Sequence, residues 1–367
     1  MRCAIVGSGL ASLAAYATLR HGGIEPGDIA VFGPNADPTE PWRMRAASIR
    51  QRRMRSESDG HLAPASFPGL AVRESLRRAT PAPLFASVTN RYHPSVDAFL
   101  SHAEEVRARS GWEQSFRAQR VARVRAVAGG FELDGGGPFA HVLVATGHPG
   151  LAKPAGLPEA VHAYEPHEYA PRVAIVGAGM AAATEWLNAL AAGSEVVSIR
   201  RREPVRRPLN VPRPLFSKRG LAAFHRLAPH DRATKLRELS TPSYPPGAAW
   251  DRPLERAASE GRLRVLRGSS EEAQRKYGDL QVILATGFLR GFTHDALLRD
   301  LVEAHALEAH DEWIALAPDS TVPALTDDVR TLSIAGVAGQ WAFPAADTIA
   351  GAKYAARAFL RRICRTR

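Results

Sequence analysis

Apolar residues fall into the same rhythm twice along this chain. The stretch "CAIVGSGLASLAAY" at 3–16 and the stretch "VAIVGAGMAAATEW" at 173–186 each run a short apolar block into Gly-x-Gly, then into alanines at helical spacing. A short apolar block bounded by glycine reads as a buried strand, and apolar positions recurring every three or four residues read as a helix. The pattern predicts a strand at "RCAIVG", a turn at Gly7-Ser8-Gly9 and a helix over "LASLAAYATLRHG", stopped by Gly22-Gly23. It predicts the same trio at "PRVAIVG", at Gly177-Ala178-Gly179 and onward to Gly193. A second β-prone run follows each helix, "DIAVFGPN" and "SEVVSIRRRE", and a later echo follows each in turn, "VLVATGHPG" (142–150) and "VILATGFLR" (282–290). Near the C-terminus "TLSIAGVA" reads as a further strand, leading through Phe343-Pro344 to a helix that begins near Asp347-Thr348. Strands alternating with helices make the fold class α/β.

A strand, Gly-x-Gly and helix in succession form a phosphate cradle. Gly7 permits the tight turn, Gly9 leaves room for a pyrophosphate at the helix N-terminus, and small Ser12 lets the helix pack close to the sheet. Gly7, Ser8, Gly9, Leu10, Ala11 and Ser12 are thus candidate contacts for one dinucleotide, and Gly177, Gly179, Met180 and Ala181 for another. An acidic residue ending the second strand would hold a ribose hydroxyl. The first repeat instead ends Phe32-Gly33-Pro34-Asn35, which leaves Asn35 as a neutral candidate or the ribose held elsewhere. The second ends Arg200-Arg201-Arg202, and arginines there favour a 2′-phosphate. A charged strand end meeting solvent is the plainer alternative. Two dinucleotides, one FAD and one NADPH, in two Rossmann-type domains explain why the device is built twice.

Composition adds boundaries. The chain has 367 residues, 45% hydrophobic and 23% charged, the profile of a soluble globular protein with room for two domains. No run of 18 apolar residues suggests a membrane span. The apolar start is broken by Gly-Ser-Gly, unlike a secretory leader. Cys3 and Cys364 are the only cysteines, with no C-x-x-C and no metal-ligand spacing, which points to a reduced cytoplasmic protein and away from a disulfide reductase. The formal charge of +11 comes from 43 arginines and only 5 lysines, spread along the chain. Nucleic-acid binding would want a concentrated stripe and a recognisable module, and attraction for anionic cofactors is the simpler reading.

The order of these motifs resembles the class B flavin monooxygenases, which include flavin-containing monooxygenases, Baeyer–Villiger enzymes and the ornithine/lysine N-hydroxylases. The resemblance spans nearly the whole chain: G-x-G-x-x-S, ATG (Ala145-Thr146-Gly147), G-x-G-x-x-A, D-x(5)-ATGF (Asp279 to Phe288) and "AGVAGQWAFPAADTIAGAKYAARAFL". It implies that Thr146 and Gly147 run under FAD, that Thr286 and Gly287 run under NADPH, and that both segments link the domains. It also implies that the helix start at Asp347, Thr348 and Ile349 faces the flavin, with an N-cap as the plainer role of Asp347. "RRMRSESDGHLAP" is similar to a segment bordering the flavin ring in N-hydroxylase relatives, which makes Arg55, Ser56 and His61 flavin-proximal candidates. "RYHPSVDAFLSHAEEV" (91–106) is similar to a helix start in the same relatives.

Departures from the family are plain. The F-x-G-x-x-x-H-[SR] fingerprint of two branches is not intact, and only "AGLPEAVHAYEPHEY" stands there, with His162 either a remnant or a linker histidine. The expected layout is an FAD domain over 1–170 plus 291–367, with an NADPH domain over 171–290 inserted into it. Within the insert, "REPVRRPLNVPRPLFSKRG" and "LSTPSYPPGAAWDRP" read as irregular, either walls of a substrate cleft or surface loops. The implied activity is insertion of one oxygen atom from O2 into a small nucleophilic substrate, N-hydroxylation foremost, through a C4a-(hydro)peroxyflavin. Two other readings stay open: an NAD(P)H-dependent flavoprotein reductase serving a quinone or protein, and a non-catalytic flavin-binding protein. No catalytic side-chain constellation stands out, and the flavin would carry the chemistry.

Overall fold

The computed structural model describes residues 3–54, 69–88, 92–157, 160–207, 210–269 and 280–365, with 272, 275 and 277. Two five-stranded parallel sheets organise it. In the first, Cys3–Val6 lies at the centre, flanked by Ile29–Gly33 and His141–Val144; Phe116–Ala118 and Thr331–Ile334 form its edges. In the second, Arg172–Val176 is central, between Glu195–Arg200 and Gln281–Leu284, with Leu263–Arg267 and Val161–His162 outermost. Apart from His141 and the exposed Arg172 at their starts, the central strands are apolar and buried, as expected where helices cover both faces.

Each predicted helix of the repeat is present. Leu10–His21 follows Gly9, and Met180–Ala191 follows Gly179. The first buries Leu13, Tyr16 and Leu19 against the sheet and against the C-terminal helix Ile349–Arg365. The helix foreseen in 91–106 spans Val96–Ser110, and Ser95 caps it by accepting a hydrogen bond from Ala98 N at 3.1 Å. The other face of the first sheet packs on an antiparallel meander, Val124–Val127, Gly130–Leu133 and Gly136–Phe139.

The two Pro-rich stretches are more regular than their sequence suggests. Val205–Arg206 pairs in parallel with Ser243–Tyr244, and helices Lys218–His225 and Pro229–Leu239 lie between them. Phe224, Leu236 and Leu239 join the same apolar cluster as Ala4 and Val6, so this part of the excursion covers the first sheet rather than the second. Among the described residues no helix is long and apolar enough to cross a membrane, and no His, Cys, Asp and Glu group could hold a metal ion.

Candidate functional site

Each Gly-x-Gly sits where its sheet reverses direction of growth, at the C-terminal ends of the central strand and its neighbour. Open α/β sheets bind ligands at such crevices. Gly7 has φ +116°, and a Cβ there would lie 2.2 Å from Ala145 O. The close approach is held by Ala145 N donating to Val6 O at 2.7 Å and Gly7 N donating to Phe32 O at 2.7 Å. Gly177 repeats this, with φ +144° and a Cβ position 2.4 Å from Ala285 O. Both glycines are demanded by the strand beside them, independent of any ligand.

The second glycine of each motif behaves differently. A Cβ on Gly9 would meet nothing within 4 Å, although the backbone there is ordinary extended chain. No side chain caps the helix that starts at Leu10, so the N–H groups of its first turn, Leu10 to Ser12, face that open space. A cradle of this shape fits a pyrophosphate, which supplies both the bulk and the acceptor oxygens. Gly179 is also uncapped at its helix, but its Cβ position lies 3.8 Å from Pro242, so the second cradle is narrower.

Neighbouring candidates divide by their contacts. Ser8 is buried and its Oγ accepts from Asn35 N at 3.1 Å, so the backbone rather than the side chain of Asn35 is engaged. A Cβ on Gly33 would lie 2.4 Å from Ser8 Oγ, which explains why no acidic side chain stands at this strand end. Ser12 is fully buried beneath the helix, its hydroxyl without a partner. Thr146 Oγ1 donates to Asp295 Oδ2 at 2.7 Å, and Asp295 in turn caps helix Ala296–His305 by accepting from Leu297 N and Leu298 N. At the C-terminal helix the cap is Thr348, whose Oγ1 accepts from Gly351 N at 3.2 Å; Asp347 is exposed, one residue too early to cap, and the helix begins at Ile349. Arg55, Ser56 and His61 lie outside the described residues.

Of the three consecutive arginines, Arg200 turns inward. It pairs with Glu203 at 2.8 Å and lies 5.8 Å from the Trp186 ring centroid. Arg201 and Arg202 are exposed, so these two are placed to meet an anion from solvent.

The two ATG segments are brought together. Leu151 and Phe288 form an antiparallel bridge, Leu289 N donates to Gly150 O at 2.9 Å, and Ala152 N donates to Gly287 O at 3.0 Å. Thr286 Oγ1 donates to Ala152 O, so its hydroxyl belongs to this joint. Around the joint stands an aromatic stack that sequence reasoning missed: Phe288 lies 4.2 Å from His148 and 4.8 Å from Tyr164, ring planes within 17°. Arg45 sits over Phe288 at 4.9 Å. Burial, reinforced by Arg290 and Arg45, holds His148 at a pKa of about 4, and burial holds His162 at about 4. His162 is inside the second sheet's edge strand, accepting from Tyr164 N at 3.2 Å, which is a structural place rather than an open one. Beside the joint a small cleft is lined by Gly147, Arg290, Asp295, Glu312, Trp313 and Gln340 among others.

No family model matches the sequence, and no curated protein does. Solved structures do match. The ornithine hydroxylase PvdA from Pseudomonas aeruginosa is 15% identical with a TM-score of 0.67, covering 99% of both chains. The ornithine N-hydroxylase KtzI from Kutzneria sp. 744, described with reduced FAD, NADP+ and L-ornithine, is 15% identical with a TM-score of 0.70, covering 98% of this chain and 99% of its own. The bacillithiol disulfide reductase Bdr from Bacillus cereus is 14% identical with a TM-score of 0.60, covering 98% and 99%. The α/β fold anticipated from the motifs, two Rossmann-type sheets in one chain, is therefore the fold this chain has and shares with these structures.

Proposed function

We propose that this chain is an FAD- and NADPH-dependent monooxygenase that inserts one atom of O2 into a small nucleophilic substrate, N-hydroxylation foremost. The observation that carries it is the pair of Gly-x-Gly cradles joined by hydrogen bonds between Gly150–Ala152, just past the first ATG, and Gly287–Leu289 at the end of the second, so that two dinucleotide crevices share one joint. In this reading residues 1–170 plus 291–367 hold FAD and 171–290 hold NADPH. Gly7, Gly9 and the N–H groups of Leu10 to Ser12 would hold the FAD pyrophosphate, with Gly147 beneath it and the N-terminus of helix Ile349–Arg365 toward the ring. Gly177, Gly179 and the first turn at Met180-Ala181 would hold the NADPH pyrophosphate, and Arg201 and Arg202 its 2′-phosphate. Bound FAD supplies hydride acceptance and oxygen transfer; the chain's own groups bind, orient and exclude water.

The likeness to a disulfide reductase keeps a second reading alive, since the same fold serves reductive chemistry there. Cys3 is buried in the central strand and Cys364 is exposed on the C-terminal helix, so no dithiol pair supports that reading. The test is product partition: NADPH and O2 consumption measured against an amine, sulfide and ketone panel, with hydrogen peroxide quantified. Oxygenated product in step with NADPH use is expected. Hydrogen peroxide alone across the panel, with rapid reduction of a quinone or disulfide instead, assigns the chain to the reductases.

A further inference from the structure

The joint beside the ATG segments holds two arginines, Arg45 and Arg290, that form no ion pair among the described residues. Arg45 is partly buried on helix Glu40–Ser48, and its guanidinium rests on the Phe288 ring without a carboxylate partner among the described residues. Other arginines of this region are answered: Arg43 by Asp37, Arg50 by Glu168, and Arg207 by the carbonyls of Leu239 and Thr241. Burial lowers the pKa of Arg45, and Tyr164 is the one group whose charge opposes this. His148, stacked on the same ring, feels two cations, Arg290 and Arg45, and no carboxylate. Its Nδ1 is buried without a hydrogen-bond partner. Arg290 donates one N–H to Ser240 and has no ion pair among the described residues.

A desolvated cation without a counter-charge is costly, and so is a buried ring nitrogen without a partner. Both costs vanish together if an anion sits between them. We propose that Arg45, with His148 and Arg290, forms an oxyanion-binding subsite at the joint of the two ATG segments, receiving a phosphate or carboxylate group. This rests on the two-dinucleotide reading for its setting but not for its chemistry. Two sources could supply the anion: the nicotinamide-side phosphate of the bound dinucleotide, or an acidic group on the molecule that is oxygenated. Neutral His148 would donate from Nδ1 and the Arg45 fork in the plane of the anion, with Phe288 in contact with both side chains.

The experiment uses the full chain, as purified, titrated calorimetrically with NADP+, with 2′,5′-ADP (the adenosine half alone) and with malonate as a carboxylate probe. Arg45→Met keeps the apolar stem on Phe288 and removes the charge, Arg45→Lys keeps the charge, and Arg43→Met on the same helix controls for bulk charge. Arg45→Met is expected to weaken either NADP+ or malonate roughly 10- to 100-fold. Weakening of NADP+ with 2′,5′-ADP unchanged identifies the dinucleotide as the source; weakening of malonate with NADP+ unchanged identifies the substrate. In both cases Arg45→Lys recovers part of the loss and Arg43→Met shows none. If Arg45→Met binds all three probes like wild type, or loses NADP+ and 2′,5′-ADP equally, the subsite is refuted. A wild type that binds neither nucleotide refutes the NADPH reading, and the subsite then stands or falls on malonate alone.

Discussion

Gly7 and Gly9 are two residues apart in one motif, yet their substitution should fail in opposite ways. At Gly7 a methyl group would lie 2.2 Å from a carbonyl oxygen in a backbone conformation, φ +116°, that L side chains rarely adopt. Backbone strain of roughly 1–3 kcal/mol and overpacking of roughly 1–3 kcal/mol add to about 2–6 kcal/mol, lowering Tm by roughly 5–20 °C. At Gly9 the backbone is extended, φ −98° and ψ −169°, and the space beyond is open, so valine fits the empty protein. The cost there is about 1 kcal/mol for a poorer helix cap. The same valine occupies the pyrophosphate's place, so its loss appears only with ligand. FAD at 100 times its Kd stabilises a binding-competent chain by about 2.7 kcal/mol. Melting curves with and without FAD, read alongside absorbance of bound flavin, separate the cases. Gly7→Ala should melt early in both conditions, and Gly9→Val should melt near wild type without FAD and gain nothing from it. Full flavin occupancy in Gly9→Val would refute the cradle, and a Gly7→Ala protein as stable as wild type would refute the strain argument.

Replacing Arg201 and Arg202 together by alanine should raise the KM for NADPH about 10- to 150-fold while NADH changes little, since one charged hydrogen bond is worth about 1.5–3 kcal/mol; equal effects on both cofactors would make them ordinary surface residues. Arg200→Ala, by contrast, removes a side chain held by Glu203 and Trp186 and should leave the NADPH-to-NADH ratio nearly intact. Acid should destabilise the chain early. His141 and His162 are fully buried and burial holds each near a pKa of 4, below the value of about 6.5 in an unfolded chain. The unfolded state therefore binds more protons between these values, so their contribution is complete above about pH 6.5 and is lost as pH falls toward 4, roughly 1–3 kcal/mol per ring. Urea midpoints at pH 7.5, 6 and 5 should fall less steeply for His162→Gln than for wild type; an identical slope contradicts this assignment.

What the sequence showed and hid follows from the range of the interactions involved. Gly7, Gly9, Gly177 and Gly179 were legible because strand, turn and helix are local and each glycine has a job set by its neighbours. The cap at Thr348 rather than Asp347 turned on one residue of helix start, a distinction that only the backbone resolves. Arg200 facing inward reflects strand alternation, but which of three arginines turns in depends on where Trp186 lies. The missing acid at the first strand end was visible; its reason, Ser8 filling the space beside Gly33, was not, because the contact spans two strands. Regular structure within the Pro-rich stretches was hidden because Val205–Arg206 pairs with Ser243–Tyr244, each residue 38 positions from its partner. The stack of His148, Phe288 and Tyr164 is assembled from three distant segments and left no pattern to read.

The order of strands in the first sheet has a consequence for how the molecule is made. His141–Val144 takes its outer neighbour from Thr331–Ile334, which is translated about 190 residues later. At roughly 5–20 residues per second the nascent chain waits on the order of 10–40 s for that partner. Throughout this interval a strand whose four residues are all buried in the finished protein presents an unpaired edge, the kind that templates mispairing between chains. The whole second sheet emerges during the wait. Its return at Gly287–Leu289, hydrogen-bonded beside Gly150–Ala152, anchors the chain next to the open edge before the closing strand exists. The second sheet thus lies, in chain order, wholly between two neighbouring strands of the first.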